Sequence, residues 1–309
     1  MNDDIVSFPE HLIEEFAYKR AVPFIGAGLS ATAKKDNGQS LITWDRFIEC
    51  SKRIMHSSMH EKMIVVDKLV SSGDQLQALQ VVRNYSDPGD YQKLIKDTFT
   101  AKGYKPSSAH EALRDLDSKI TITTNFDNIY ENFCRSINFA NMNAYSVINY
   151  DNEEAIIENI RSSENVIIKA HGSVVSPNNI IFTQFDYLRA QREHPNFYSI
   201  LTSIFLLNTV LFIGYGINDP DINLLLSNEL NTLAIGSPNY VLLPEGTYTT
   251  EDATNWKENY NVIIISYKRA SDSNIYGNFS LVIEQFVEEV EALQNQRGIT
   301  PGVTRISSK

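Results

Sequence analysis

The chain has little cysteine and fewer basic than acidic residues. Its 309 residues contain two cysteines, Cys50 and Cys134, too few for a disulfide framework or for a structural zinc site built on cysteine ligands. Such sparse cysteine is typical of a reducing compartment, so we expect a cytoplasmic protein. A net charge of −11 argues against direct nucleic-acid binding, which normally uses a basic surface. An anionic ligand would therefore depend on local dipoles and a few placed cations.

Long apolar runs and an apolar leader are also missing. The most apolar stretch, residues 199–214, is interrupted by polar side chains and is shorter than a membrane span. It predicts a buried helix that runs into a buried strand. The first four residues, Met1–Asp4, are acidic and lack the features of a signal peptide. We therefore expect no membrane association.

Short apolar segments alternate with helical patterns along most of the chain. We predict strands at 22–25, 120–123, 144–148, 166–169, 210–213, 240–243 and 262–265. This alternation predicts an α/β fold with a doubly wound, parallel, Rossmann-like sheet and helices on both faces. Residues 44–117 show apolar positions at helical spacing and predict an inserted helical subdomain. The main domain would comprise 1–43 and 118–297, followed by a polar tail, 298–309.

Several polar residues are spaced as helix-starting signals. Ser7 with Glu10, Ser108 with Glu111, and Thr183 with Asp186 each match the capping-box spacing. Asp219-Pro220 predicts the start of another helix, since proline is favoured in the first helical turn.

Four of the predicted strands end in glycine or polar residues. These endings are Gly26-Ala27-Gly28-Leu29-Ser30, Asn125-Phe126-Asp127, His171-Gly172-Ser173 and Gly214-Tyr215-Gly216. Ligands of doubly wound sheets bind outside the carboxyl ends of the strands, so the endings would share one pocket. A glycine turn with backbone N–H groups facing that crevice suits a pyrophosphate.

Each ending has an ordinary structural explanation when it is taken alone. Asn125 suits a turn, Asp127 suits a helix N-cap, and a single histidine after a strand is more often structural than catalytic. Gly214 and Gly216 would simply terminate a strand. The hypothesis of a site depends on their convergence.

Together the four segments resemble the sirtuin family. Gly26–Ser30 is similar to the GAG(I/L)S loop, and Thr123-Thr124-Asn125-Phe126-Asp127 is similar to the TQN(I)D motif, with Thr124 where glutamine is usual. His171-Gly172-Ser173 resembles the HG(S) motif, and Gly214-Tyr215-Gly216 stands at the G(T/S)S adenosine loop.

Two departures narrow the resemblance. Sirtuin deacylases carry four zinc-binding cysteines, which this chain lacks. Their Pro-Asp-Phe-Arg segment is replaced here by Thr43-Trp44-Asp45-Arg46-Phe47. The chain more closely resembles the zinc-free, sirtuin-like NAD hydrolases of bacterial antiphage defence. That resemblance implies NAD+ as the substrate, no zinc and no other cofactor.

The resemblance also implies roles for individual residues. Asn125 would position the attacking water or the ribose hydroxyls, and His171 would be the general base. Asp127 would hold the nicotinamide carboxamide, and Trp44 would form a wall of that pocket. Four further candidates, Gly26, Ala27, Gly28 and Ser30, would hold the pyrophosphate and the nearby ribose, and three others, Gly214, Gly216 and Asp219, would lie by the adenosine. Gly172 is one more cofactor-binding candidate.

The implied activity is cleavage of the nicotinamide–ribose bond of NAD+ by an effector that depletes NAD during abortive infection. Such an enzyme needs control, so we expect a homo-oligomer or a regulatory partner, for example a DNA-translocating ATPase or a phage-sensing subunit. A region beyond the present chain is a further source of control. Two alternatives remain: a protein deacylase or ADP-ribosyltransferase, and a non-catalytic sensor of NAD or ADP-ribose.

Overall fold

A computed structural model describes residues 5–42, 44–56, 59–136, 145–216 and 236–299. Its strands are β1 (Ala21–Ile25), β2 (Ile120–Thr123), β3 (Tyr145–Asn149), β4 (Asn165–Lys169), β5 (Thr209–Ile213), β6 (Asn239–Pro244) and β7 (Val262–Tyr267). They form one parallel sheet in the order β3-β4-β2-β1-β5-β6-β7. All seven predicted strands are present, and the predicted α/β doubly wound fold is confirmed.

The described helices connect these strands. They are α1 (Glu10–Ala17), α2 (Ala27–Thr32), α3 (Trp44–Ser51), α4 (His60–Ser71), α5 (Gln75–Asn84), α6 (Pro88–Phe99), α7 (Ser108–Asp115), α8 (Ile129–Ser136), α9 (Glu153–Ile160), α10 (Gln184–Glu193), α11 (Pro195–Leu207), α12 (Thr250–Tyr260) and α13 (Phe279–Arg297). The apolar stretch 199–214 is the predicted helix followed by a strand. Among the described residues, no helix has the length and apolar character to cross a bilayer.

Alternate residues of the central strands build two separate cores. In β5, Leu211 and Ile213 face a layer that contains α1, α7 and α13, whereas Val210 and Phe212 face a layer of α9 to α12. These residues are fully buried, as expected for a parallel sheet covered on both faces. Burial of each such side chain stabilises the fold by about 1.5–3 kcal/mol.

The insertion between β1 and β2 shares an aromatic core with residues that follow β2 and β4. Phe47 of α3 and Phe99 of α6 pack against Phe182 with ring centroids 5.0 and 5.8 Å apart. Phe126, just after β2, joins the cluster at 4.7 Å from Phe182. The helical insertion is therefore packed directly on the carboxyl end of the sheet. Helix α7 instead packs in the layer with α1 and α13.

The helix starts differ from the sequence expectations at two of three places. Helix α1 begins at Glu10 with Pro9 as its N-cap and no side-chain cap, so the predicted pairing of Ser7 with Glu10 is wrong. The N-cap of α7 is Ser107, whose backbone N–H donates to Nδ1 of His110 at 3.2 Å. The capping box of Thr183 and Asp186 is confirmed. The helix predicted at Asp219-Pro220 lies outside the described residues.

Candidate active site

A cavity of about 880 Å³ opens at the carboxyl edge of the sheet. This volume is within the usual range for small-molecule sites. Strand β1 lies between β2 and β5, and the chain runs outward from it in both directions, which is where doubly wound sheets bind ligands. Of the predicted site residues that the structure describes, seven line the cavity: Ala27, Gly28, Ser30, Asn125, Asp127, Gly214 and Gly216.

The glycine turn after β1 is needed for close packing against the end of β5. The N–H groups of Gly26 and Gly28 donate to the carbonyls of Ile213 and Gly214, both at 2.8 Å. A Cβ on Gly28 would lie 2.6 Å from the Cα of Gly214. Gly26 has φ of −108°, so the turn uses no left-handed conformation there. The expectation that these two amides face the crevice is therefore wrong, because they hold the two loops together.

Three polar side chains form a hydrogen-bonded chain beside the cavity. The Nδ2 of Asn125 donates to the carbonyl of Gly26 and to Oγ of Ser30, both at 2.9 Å. Ser30 Oγ donates its single hydrogen to Oδ2 of Asp127 at 2.7 Å. Because the Gly26 carbonyl only accepts, this contact fixes the amide orientation of Asn125. Both amide hydrogens are used within the protein. No described residue donates to Oδ1, which can therefore accept from a ligand or water.

Asp127 combines a structural contact with its place at the cavity. Its Oδ1 accepts the N–H of Ile129 at 3.0 Å, which orders the start of α8. Its Oδ2 accepts from Ser30, and the residue is 5% exposed. Asp127 therefore has the structural contact expected at a helix start, and it also lines the cavity.

His171 lies next to the cavity, beside Phe126. Its ring is 6.4 Å from that of Phe126, which lines the cavity, and its Nε2 is 3.0 Å from the hydroxyl of Tyr187. Burial lowers the pKa of His171 to about 3, so the imidazole is neutral at pH 7. Among the described residues, His171 does not line the cavity, unlike Asn125 and Asp127.

The segment after His171 supports the turn that carries Asn125 and Asp127. Gly172 has φ of +77°, and a Cβ there would lie 2.7 Å from the carbonyl oxygen of Asn179. With the chain turned in this way, Ser173 Oγ donates to Oδ1 of Asn128 at 2.9 Å. The N–H of Val174 donates to the carbonyl of Phe126, also at 2.9 Å. Gly172 therefore acts on the site through backbone shape.

Thr124 and Tyr215, which both depart from the usual sirtuin pattern, are hydrogen-bonded to each other. The Tyr215 hydroxyl donates to the carbonyl of Ile25 at 3.1 Å and lies 2.8 Å from Oγ1 of Thr124. Since the tyrosine has one hydrogen, Thr124 is the donor in the second contact. The ring of Tyr215 also covers Gly26, where a Cβ would lie 2.7 Å from it. This pair joins the ends of β1, β2 and β5.

Some cavity residues belong to none of the four motifs, and two predicted site residues lie outside the part that the structure describes. Lys34 is the one lysine or arginine among the described lining residues, and it comes from a polar loop after α2. Gln75 and the segment 274–280 also line the cavity. Their sequences carry no motif, and only the folded chain brings them there. Asp219 and the side chain of Trp44 lie outside the described residues.

Three of the four strand ends lie in a segment that matches a known protein family. A SIR2-like domain matches residues 119–265, the segment that contains Asn125, His171 and Gly214. The matched segment is just under half of the chain. The resemblance inferred from the motifs is thereby confirmed.

Curated relatives of this chain are named as a defence-associated sirtuin and as NAD hydrolases. It is 25% identical over 302 residues to "Defense-associated sirtuin 2" of Bacillus subtilis, covering 94% of this chain and 28% of the relative. It is 22% identical over 227 residues to "NAD(+) hydrolase ThsA" of Bacillus cereus, covering 74% and 43%. The match to the protein of that name from Enterococcus faecium is 24% over 287 residues, covering 90% and 55%. The chain thus spans between about a quarter and just over half of these relatives.

Among solved structures, a similar one is described as the structural basis for the mechanism and regulation of Sir2 enzymes. It has a TM-score of 0.45 and 14% identity, and the match covers 96% of this chain and 100% of the other.

Proposed function

We propose that this cavity binds NAD+ and cleaves its nicotinamide–ribose bond, giving nicotinamide and ADP-ribose. The observation that carries the proposal is the Asn125–Ser30–Asp127 chain beside a cavity at the switch point of the sheet. The names of the curated relatives support the substrate and a role as an NAD-depleting effector of antiphage defence. Self-association, a regulatory partner and cytoplasmic location belong to the same proposal.

Asn125 is the proposed water-positioning residue. Departure of nicotinamide leaves an oxocarbenium-like ribose, which a water must attack from the opposite face. Since both amide hydrogens of Asn125 are held by Gly26 and Ser30, its Oδ1 accepts a hydrogen from that water. The orientation is set before the substrate arrives, which favours the transition state. The Asp127 carboxylate lies one hydrogen bond further on and supplies negative charge near the developing cation.

His171 is retained as the candidate general base, acting from behind Phe126. Its Nε2 contacts Tyr187, and its pKa of about 3 makes it a weak proton acceptor in this arrangement. Proton transfer through His171 therefore requires the Phe126 side chain to move aside when NAD+ binds. Loss of a positioned acid–base group typically costs about 10²–10⁴-fold in rate, so His171→Ala tests this role directly.

The other residues of the site are proposed to bind the two ends of the dinucleotide. Ala27, Gly28 and Ser30 line the cavity where the pyrophosphate would lie, and Lys34 supplies a cation there. Gly216 lines the proposed adenosine side, and Gly214 shapes it through its contact with Gly28. Gly26 and Gly172 contribute through backbone packing. Trp44 and Asp219 keep their proposed roles at the nicotinamide and adenosine ends.

The deciding experiment follows nicotinamide release from NAD+ by the purified chain over a range of protein concentrations, with mass analysis of the second product. We expect free ADP-ribose from the wild type and none from Asn125→Ala. If the second product is O-acyl-ADP-ribose or an ADP-ribosylated protein, the reaction is a transfer and the proposed hydrolysis is wrong. Tight NAD+ binding without turnover at every concentration would indicate a sensor.

A further inference from the structure

A lysine and a glutamate are buried beneath the turn that carries Asn125 and Asp127. Lys169, the last residue of β4, is 0% exposed, and Glu131, in the first turn of α8, is 3% exposed. The Lys169 Nζ forms an ion pair with the Glu131 carboxylate. It also donates to the backbone carbonyl of Asp127 at 2.6 Å. Neither residue is among the described residues that line the cavity.

Stability alone gives a weak reason for this pair. Transfer of an ion from water into a protein costs several kcal/mol, and apolar residues often replace a buried pair with no loss of stability. Burial raises the pKa of Glu131, and Lys169 opposes that shift. The Lys169 ammonium is fully buried, and a buried charge is costly unless it is paired and hydrogen-bonded. Burial of the pair is therefore costly. The contact that this pair makes with the rest of the protein is the hydrogen bond from Lys169 to the Asp127 carbonyl.

That contact completes the backbone support of the turn. The carbonyl of Phe126 is held by the N–H of Val174, and the next carbonyl, of Asp127, is held by Lys169. With two successive peptide groups fixed from the β4 side, the side chains of Asn125 and Asp127 are presented towards Ser30 at defined distances. A rotation of the Asp127 peptide would disturb both.

We propose that Lys169 and Glu131 form a positioning pair that fixes the turn between β2 and α8 for the reaction, without touching the substrate. The kinetic part rests on the proposed NAD+ hydrolysis. Lys169 orients the Asp127 carbonyl, and Glu131 holds the Lys169 side chain in place. A misplacement of about 1 Å in a reacting group costs about 10²-fold in rate. Loss of the pair therefore lowers kcat by that order and leaves KM for NAD+ nearly unchanged.

The test replaces both charges together, by Lys169→Met with Glu131→Leu. We expect a folded protein whose Tm falls only by what the lost donor to the Asp127 carbonyl costs, with kcat lower by about 10²-fold and KM within a few-fold. If this variant does not fold, Lys169→Gln with Glu131→Gln supplies a neutral pair that retains hydrogen bonding, and the same kinetic result is expected. A wild-type kcat in a folded variant of either kind overturns the proposal.

Lys19→Met is the matched control. Lys19 Nζ also donates to backbone carbonyls, those of Leu116 and Asp117 at 2.9 and 2.8 Å, but it precedes β1 at the opposite edge of the sheet. We expect Lys19→Met to lower stability and leave kcat unchanged. An equal fall of kcat in both proteins would reduce Lys169 to a general structural role and overturn the proposal.

A second readout separates this inference from the proposed activity. Amide hydrogen exchange of residues 124–128, measured without NAD+, should become faster in the double variant and stay unchanged in Lys19→Met. If the wild type hydrolyses no NAD+, the proposed function fails while the exchange result still decides whether the pair orders the turn. Unchanged exchange in the double variant overturns the inference whatever the activity.

Discussion

The parallel strands begin at one edge of the sheet, the amino edge, and end at the other, the carboxyl edge. The two edges use the same side-chain chemistry for different purposes. At the amino edge, Lys19 binds the carbonyls of Leu116 and Asp117, and Asn165 donates to Oδ1 of Asp117 at 2.6 Å. At the carboxyl edge, Lys169 donates to a backbone carbonyl. There Asn125 donates to another carbonyl and to a hydroxyl. Lysine and asparagine thus hold the turns that begin and end β2.

The two edges differ in whether the hydrogen-bonded residues line the cavity. The amino-edge contacts join Asp117 to Lys19 and Asn165, none of which is among the described residues lining the cavity. The carboxyl-edge contacts lead to Asn125, which lines the cavity. A residue type or a hydrogen bond therefore does not identify a site. Substitutions at the amino edge should change stability, and matching substitutions at the carboxyl edge should change activity.

The largest expected effect is the loss of NAD+ hydrolysis in Asn125→Ala. Removal of a group that positions the attacking water should lower the rate by about 10²–10⁴-fold, while the fold is retained because Asn125 is only partly buried. Nicotinamide release and thermal unfolding measured on the same sample check both statements.

Asn165→Ala is the amino-edge counterpart. It leaves the buried Oδ1 of Asp117 without its donor and should cost about 1–3 kcal/mol of unfolding free energy. The activity of the folded protein should stay at the wild-type level. Equal losses of activity in Asn125→Ala and Asn165→Ala would remove the distinction between the two edges.

The second effect concerns the close approach of the β1 and β5 turns. A methyl group at Gly28 meets Gly214 at 2.6 Å, so Gly28→Ala must push the two turns apart. We expect a loss of about 1–3 kcal/mol, typical of overpacking, together with weaker NAD+ binding. At Gly216 a Cβ meets no described atom within 4 Å, so Gly216→Ala should keep the wild-type Tm. Calorimetry of unfolding and of NAD+ binding, applied to Gly28→Ala and Gly216→Ala, tests both expectations.

The fold was predictable because its signals are local. The apolar runs of β1, β2, β4 and β5 identify buried strands without knowledge of their neighbours, and the alternation with helices fixes parallel topology. Helix starts were less predictable, because several polar residues compete for one end. In α7 the N-cap is Ser107, one residue before the expected Ser108.

The site was predictable only as far as its residues follow strands. Asn125 and Asp127 are brought to the cavity by the end of β2, as expected. His171 also follows a strand, but packing against Phe126 and Tyr187 decides where its ring lies. Residues 274–280 reach the cavity through a long connection after β7, and no local pattern indicates that contact.

The third prediction concerns acid stability at the carboxyl edge. Burial lowers the pKa of His171 to about 3 and that of His110 to about 4, both below the usual 6.5. The unfolded chain therefore binds more protons than the folded one, and their contribution to stability is present above pH 6.5. It is lost as the pH falls towards 4 and then 3. Tm should decrease steadily over this window.

Two histidine variants separate this effect from general acid denaturation. His110→Gln should flatten the fall of Tm between pH 6.5 and 4, because one buried imidazole no longer titrates. The exposed His60 is the control, and His60→Gln should leave the profile as in the wild type. An unchanged slope in His110→Gln would show that other groups cause the loss.

The smallest expected effect is at the hydroxyl of Tyr215. Tyr215→Phe removes the acceptor of Thr124 Oγ1 and one donor to the Ile25 carbonyl, which still accepts from Thr123 Oγ1 at 2.9 Å. Because Ile25 stays satisfied, we expect a cost of about 1 kcal/mol and a rise of a few-fold in KM for NAD+. The amino-edge counterpart is Tyr145→Phe, whose hydroxyl makes a 3.5 Å contact with the Arg114 carbonyl. Tyr145→Phe should leave KM for NAD+ unchanged. A similar rise of KM in both variants would show that the Tyr215 hydroxyl has no particular effect on NAD+ binding.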